Sequence, residues 1–188
     1  MGVDKDTLAS WLADYDKDKL TIGVVASHSS LQILHGARKE GFRTLGIAVG
    51  ENRRKIYQAF PGADPDEWLI LEDYREMLDY AEWFRKRNVI IIPHGSLVEY
   101  LGSTNFKNLQ VPTFGNRGIL HWESSRQRQR DWLEAGGCDM PKVLEDPHDI
   151  DGPVIVKYAG AKGGRGYFIA RDYRCLLYTS PSPRDAES

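Results

Sequence analysis

Cysteine is nearly missing from this sequence: Cys138 and Cys175 are the two among 188 residues, and they form no CxxC pair. That scarcity argues against a disulfide scaffold, and without a His cluster at zinc spacing it argues against a structural metal site. It fits a reducing compartment. An excess of one charge is also lacking, since 25 Lys plus Arg oppose 27 Asp plus Glu for a formal net charge of -2. Nucleic-acid binders usually carry a basic stripe, so nucleic acid is not an expected partner. Long apolar runs are absent as well. Val89–Ile92 falls far short of the ~20 residues needed to span a bilayer, and Met1–Asp6 has neither the basic flank nor the apolar stretch of a signal peptide. The expectation is a soluble, cytoplasmic protein with no membrane partner. What is present is a 41% apolar composition, ample for a buried core. At ~100–200 residues per domain the length suits one domain and part of a second.

The first ~130 residues alternate strand and helix patterns, as in a parallel sheet covered by helices. Strands are expected at 20–26, 44–49, 68–71 and 89–92, and helices at 6–15, 30–40, 52–60 and 73–87, the last with Tyr74, Leu78 and Ala81 on one face. From Asn116 the texture changes. Ser124 with Gln127 suggests a capping box before a polar helix over 125–134, stopped by Gly136-Gly137. Pro141-Lys142-Val143 is expected to begin a new β region. Val154–Lys157 and Tyr167–Ala170 then flank a glycine loop as a hairpin, and a domain boundary is placed near 111–118.

That loop carries glycines at 160, 163, 164 and 166. Glycines strip side chains from a turn and let backbone N–H groups approach an anion. Lys157 at the strand end, with Lys162 and Arg165 inside the loop, adds positive charge suited to a polyphosphate. No Gly-Lys is followed by Ser or Thr, and the loop leads into a strand where GxGxxG needs a helix, so neither helix-linked phosphate motif applies. A flap over a triphosphate remains, beside the plainer reading of a flexible hairpin tip with solvated lysines.

His28 and His94 each stand just past the carboxyl end of a strand. In open parallel sheets ligands bind outside those ends, where strand order reverses. With the order 3-2-1-4, the Ser27-His28-Ser29-Ser30 and His94-Gly95-Ser96 loops face each other, and serines at a helix start offer an anion seat. The competing reading makes Ser29 or Ser30 a helix cap and His28 a turn residue.

The order of polar helix, GGCDMPK, acidic link, PVIVK and glycine flap resembles the ATP-grasp family. More closely, SHSSLQILHGARKEGF, IIPHGSLVEYLG, VPTFGNRGILHWES and DIDGPVIVKYAGAKGGRGYFIA, spanning about Thr21 to Ala170, are similar to the archaeal formate-dependent synthetases of 5-formaminoimidazole-4-carboxamide ribonucleotide. The resemblance implies an α/β fold, with a Rossmann-like parallel-sheet domain over 1–117 and the truncated start of an ATP-grasp domain over 118–174. It implies an ATP-dependent carbon–nitrogen ligase of purine biosynthesis that formylates aminoimidazole carboxamide ribonucleotide with formate. Lys157 would contact ATP phosphate, and the loop from Gly160 through Lys162, Gly163, Gly164 and Arg165 to Gly166 would cover it. Residues matching His28 and Ser96 bind the ribonucleotide in that family; Ser29 and His94 join them on geometry. Mg²⁺ or Mn²⁺ would be held by groups later than this chain reaches, and a homo-oligomer is expected at full length. Two alternatives stand beside this: a paralogue using another small carboxylic acid, or a non-catalytic ribonucleotide-binding module.

Cys175–Asp185 (CLLYTSPSPRD) shows no helix or strand period and matches the translation of a sequencing-library transposase adapter. Residues 175–188 are therefore expected not to be native, and the chain by itself is expected to be inactive.

Overall fold

Strands that are apolar on both faces are the mark of a parallel sheet covered on two sides, and four of them build the centre of this protein. They are β1 (Thr21–Val25), β2 (Arg43–Val49), β3 (Glu67–Leu71) and β4 (Val89–Ile91). The computed structural model describes residues 3–123, 125–157 and 167–179. All pairings are parallel, in the order β3-β2-β1-β4, as the loop argument required. Residues 112–114 extend the sheet by one bridge, with Phe114 N donating to the Ile91 carbonyl at 3.0 Å.

The helices are α1 (Lys5–Ala13), α2 (Ser30–Lys39), α3 (Gly50–Gln58), α4 (Ala81–Arg85), α5 (Gly95–Leu101), α6 (Ser103–Asn108), α7 (Ile119–Glu123) and α8 (Arg126–Ala135). Successive strand residues point to opposite faces, so β1 feeds two buried clusters. Val24 packs with Leu34 of α2 and Ala63. Val25 joins Leu45, Ile47, Met77, Phe84, Leu97 and Phe106 in the larger cluster on the other side.

Local structure departs from the sequence expectation in four places. The span 73–87 is not one helix: a 3-10 turn over Tyr74–Leu78 precedes α4. Asp73 and Glu76 close a capping box at its start, and within it the buried Tyr74 and Met77 stand three apart, the eclipsed spacing of a 3-10 turn. Met77 is fully buried in the core and Leu78, half-buried, packs against it. The polar helix is capped by Ser125, whose side chain accepts from Arg128 N; Ser124 lies outside the described residues. Pro141–Val143 starts no strand: proline brings no N–H, and among the described residues β5 (Val154–Lys157) pairs only with β6 (Tyr167–Ala170). Finally, α9 (Tyr173–Thr179) occupies a segment read as having no helical period; Cys175 N donates to the Asp172 carboxylate at 2.7 Å, a side-chain bond that favours helix initiation.

The chain divides into two compact units between Cys138 and Asp139. The first unit includes residues 118–138, and helix α7 sends Leu120 into the sheet's own core. Among the described residues no helix is long and apolar enough to cross a membrane.

Gly46 on β2 is packed tightly against its β3 register partner, Trp68. A Cβ at Gly46 would lie 2.7 Å from two Trp68 ring atoms and 2.8 Å from Pro65 Cγ. A ring in a packed sheet cannot yield that distance, so Gly46→Ala is expected to cost ~1–3 kcal/mol, read as a lower urea midpoint at unchanged slope.

Candidate functional site

In the first unit the crevice at the carboxyl end of β1 is assembled from three sides. β1 ends at Val25, and Ser27 and Ser30 are buried while His28 is exposed. The serines lock the turn on itself. Ser30 Oγ donates to the Ser27 carbonyl at 2.7 Å and accepts from Ser27 N at 3.1 Å, while Ser27 Oγ accepts from Ser29 N at 3.2 Å. Ser29 is indeed the residue before α2, but its side chain makes no capping bond, and no acid stands in the first turn of that helix. Its positive end is thus not neutralised by its own residues.

The second side comes from the loop after β4. His94 precedes α5 and sends Nε2 to within 3.1 Å of the Val25 carbonyl. A carbonyl only accepts, so Nε2 carries the proton and Nδ1 is left as an acceptor. That Nδ1 is buried and has no partner among the described residues. Burial pushes the His94 pKa below its ordinary value; the Val25 bond opposes that shift, and nearby His28 adds to it. His94 is therefore neutral at neutral pH. Ser96, in the first turn of α5, is buried beside it in sequence. The loops bearing His28 with Ser29, and His94 with Ser96, thus converge on one strand end.

The third side was not singled out from sequence. Arg53 of α3 donates from Nη1 to the Ala26 carbonyl at 3.0 Å and to Tyr100 Oη at 3.3 Å. Its guanidinium lies 5.0 Å over the Tyr100 ring, and Tyr100 stacks on Tyr74 with centroids 5.0 Å apart. A helical-face reading offered a signal, since Tyr100 follows Ser96 by four residues and Tyr57 follows Arg53 by four. Arg117 was missed too. It reaches the Leu109 and Val111 carbonyls over the Phe106 ring, and burial lowers its pKa to about 10. It lines a cavity of about 490 Å³ with Lys5, Lys107 and Asn116.

In the second unit β5 and β6 form the expected antiparallel hairpin, with Lys157 opposite Tyr167 and Ile155 opposite Ile169. These four share the exposed face. The loop between the strands, with Gly160, Lys162, Gly163, Gly164, Arg165 and Gly166, lies outside the described residues. Among the described residues no group of three or more His, Cys, Asp or Glu side chains converges to hold a metal ion.

Comparison with known proteins supplies the lineage. Residues 22–144 match a family described as "Protein of unknown function (DUF1246)". The 5-formaminoimidazole-4-carboxamide-1-(beta)-D-ribofuranosyl 5'-monophosphate synthetase 1 of Methanosarcina mazei is 56% identical over 171 residues, covering 91% of this chain and 48% of that protein. Among solved structures, an IMP biosynthesis protein PurP from Thermococcus kodakaraensis is 31% identical with TM-score 0.59, over 80% of this chain and 49% of its own. An N5-carboxyaminoimidazole synthetase from Staphylococcus aureus, complexed with ADP, has TM-score 0.60 at 14% identity, over 87% of this chain and 44% of its own, a likeness of fold alone. This chain spans about half the length of the curated relatives it matches.

The His94 environment makes stability depend on pH. With its folded pKa depressed, protonation favours the unfolded chain, so its contribution is intact above the unfolded value of 6.5 and is lost as pH falls below it. Chemical denaturation between pH 7.5 and 5 is expected to show falling stability, with a shallower fall in His94→Gln.

By the match over residues 22–144, the chain belongs to the DUF1246 family, the parallel-sheet α/β fold of its synthetase relatives.

Proposed function

We propose that the protein to which this chain corresponds is an ATP-dependent carbon–nitrogen ligase of purine biosynthesis, which formylates aminoimidazole carboxamide ribonucleotide with formate. The carrying observation is the convergence of the His28 and His94 loops on the β1 terminus, in a chain 56% identical to a relative named for the formylated ribonucleotide. His28, Ser29, His94 and Ser96 form the ribonucleotide site in this reading. His94 Nδ1, buried and unpartnered among the described residues, accepts a ligand N–H or O–H. The amides opening α2 favour an anionic group.

The chemistry follows from the acid. Formate is a poor acyl donor until one oxygen becomes a phosphate leaving group, so phosphoryl transfer from ATP makes formyl phosphate first. The ribonucleotide's amine then attacks the formyl carbon, phosphate departs, and the nitrogen loses its proton. Lys157, at the exposed end of β5, offsets charge on the phosphates, and Ile155, Tyr167 and Ile169 give that face an apolar platform for a base. The glycine loop from Gly160 to Gly166 serves as the flap over the triphosphate. Mg²⁺ or Mn²⁺ would supply further charge neutralisation there, and residues 118–174 are proposed as the opening of the ATP-grasp domain. The 188-residue chain itself is proposed to bind without turnover, as a homo-oligomer-forming cytoplasmic enzyme is only complete at full length.

In a full-length version, ADP release is expected to require both formate and aminoimidazole carboxamide ribonucleotide. Equal turnover with another small carboxylic acid would replace the formate assignment. In the present chain, His28→Ala is expected to weaken ribonucleotide binding ~10-fold or more, by calorimetric titration, at a cost of about 1.5–3 kcal/mol for a lost charged-ligand hydrogen bond; unchanged affinity removes His28 from the site.

A further inference from the structure

Two arginines stand side by side on α3 and are treated differently. Arg54 is paired with Glu51 at 2.7 Å and bonded to Gln58. Arg53 has no carboxylate partner among the described residues. Its hydrogen-bond acceptors are the Ala26 carbonyl and the Tyr100 hydroxyl, both taken by Nη1. A guanidinium that is half-buried, stacked on an aromatic ring and pinned to a strand terminus has already lost most of its rotamer freedom. Its charge, however, is not compensated.

The edge it leaves open is specific. Nε and Nη2 carry two parallel N–H groups that match a pair of oxygens on one phosphate or carboxylate, and neither has a protein acceptor among the described residues. Ala26 lies two residues before His28, so this edge belongs to the same strand end that His94 grips through Val25. We propose that Arg53 is the anchor for the ligand's phosphomonoester, a specificity-determining residue that recognises the 5′-phosphate by its Nε–Nη2 edge, with Tyr100 holding the guanidinium in plane. This rests on the ribonucleotide reading of the crevice given above. A dianion is the occupant the geometry favours, because it neutralises the fixed cation and meets both N–H groups at once; a neutral sugar hydroxyl would do neither.

The test is calorimetric titration of the 188-residue chain with 5-aminoimidazole-4-carboxamide ribonucleotide and with its unphosphorylated riboside, using wild type, Arg53→Gln, Arg53→Lys and His28→Ala, each checked by thermal melting. Arg53→Gln is expected to weaken the ribonucleotide ~10- to 100-fold and to leave the riboside within about twofold. Arg53→Lys, a point charge without the fork, is expected to fall between. Equal losses for both ligands would overturn the proposal, making Arg53 a clamp between β1 and α5. Ribonucleotide affinity that falls in His28→Ala and holds in Arg53→Gln would overturn the anchor while keeping the site. Failure of wild type to bind either ligand would overturn the anchor together with the site. If Arg53→Gln does not fold, the comparison is read from Arg53→Lys, whose loss must be confined to the phosphorylated ligand.

Discussion

The carbonyls of Val25, which ends β1, and of Ala26 just past it are the fixed point around which the candidate site of the first unit is organised. Val25 accepts from His94 and Ala26 from Arg53, so consecutive carbonyls at one strand end are held by side chains arriving from opposite neighbours. Each is a group that a sheet's terminus would otherwise leave to water. Their satisfaction by side chains does more than stabilise the backbone. It fixes the His94 tautomer, leaves Nδ1 as an acceptor, and sets the guanidinium plane of Arg53. The strand order makes this possible, because β1 is flanked by β2 and β4 and the loops after both must pass its carboxyl end.

Electrostatics in this unit follow from neutral partners around fixed cations. Arg53 is held by a carbonyl and a hydroxyl, and Arg117 by two carbonyls. Carbonyl dipoles orient a guanidinium without cancelling its charge, so both sites remain attractive to anions, and burial leaves its mark in the lowered pKa of Arg117. Surface pairs such as Lys19 with Asp16 and Lys86 with Glu82 behave otherwise: they sit in solvent, and such pairs contribute ~0–1 kcal/mol.

The second unit is built more sparely. β5 and β6 form a hairpin with Ile155, Tyr167 and Ile169 more than half exposed, and a two-stranded hairpin of this kind has little stability of its own. An apolar face of that size with a lysine at its end is chemically suited to a nucleotide, whose base wants apolar surface and whose phosphates want charge. The same exposure makes its edges an aggregation risk.

Sequence alone determined the parallel sheet and the placement of the His28 and His94 loops just past strand ends; the order β3-β2-β1-β4, assumed in bringing those loops together, is the one the structure has. Apolar runs and turn residues are local signals, and a right-handed crossover between parallel strands leaves few topologies. The hairpin around the glycine loop was legible for the same reason. Other features were decided by distance in the chain. The Arg53–Ala26 bond joins residues 27 apart and the His94–Val25 bond joins residues 69 apart, so neither has a local pattern. The division of 73–87 into a 3-10 turn and α4, with Met77 fully buried and Leu78 packed beside it, was decided by the core they meet, as was the entry of Leu120 into that core. Helical periodicity states that a face exists; only packing decides which residue fills it and which polar group a distant side chain will satisfy.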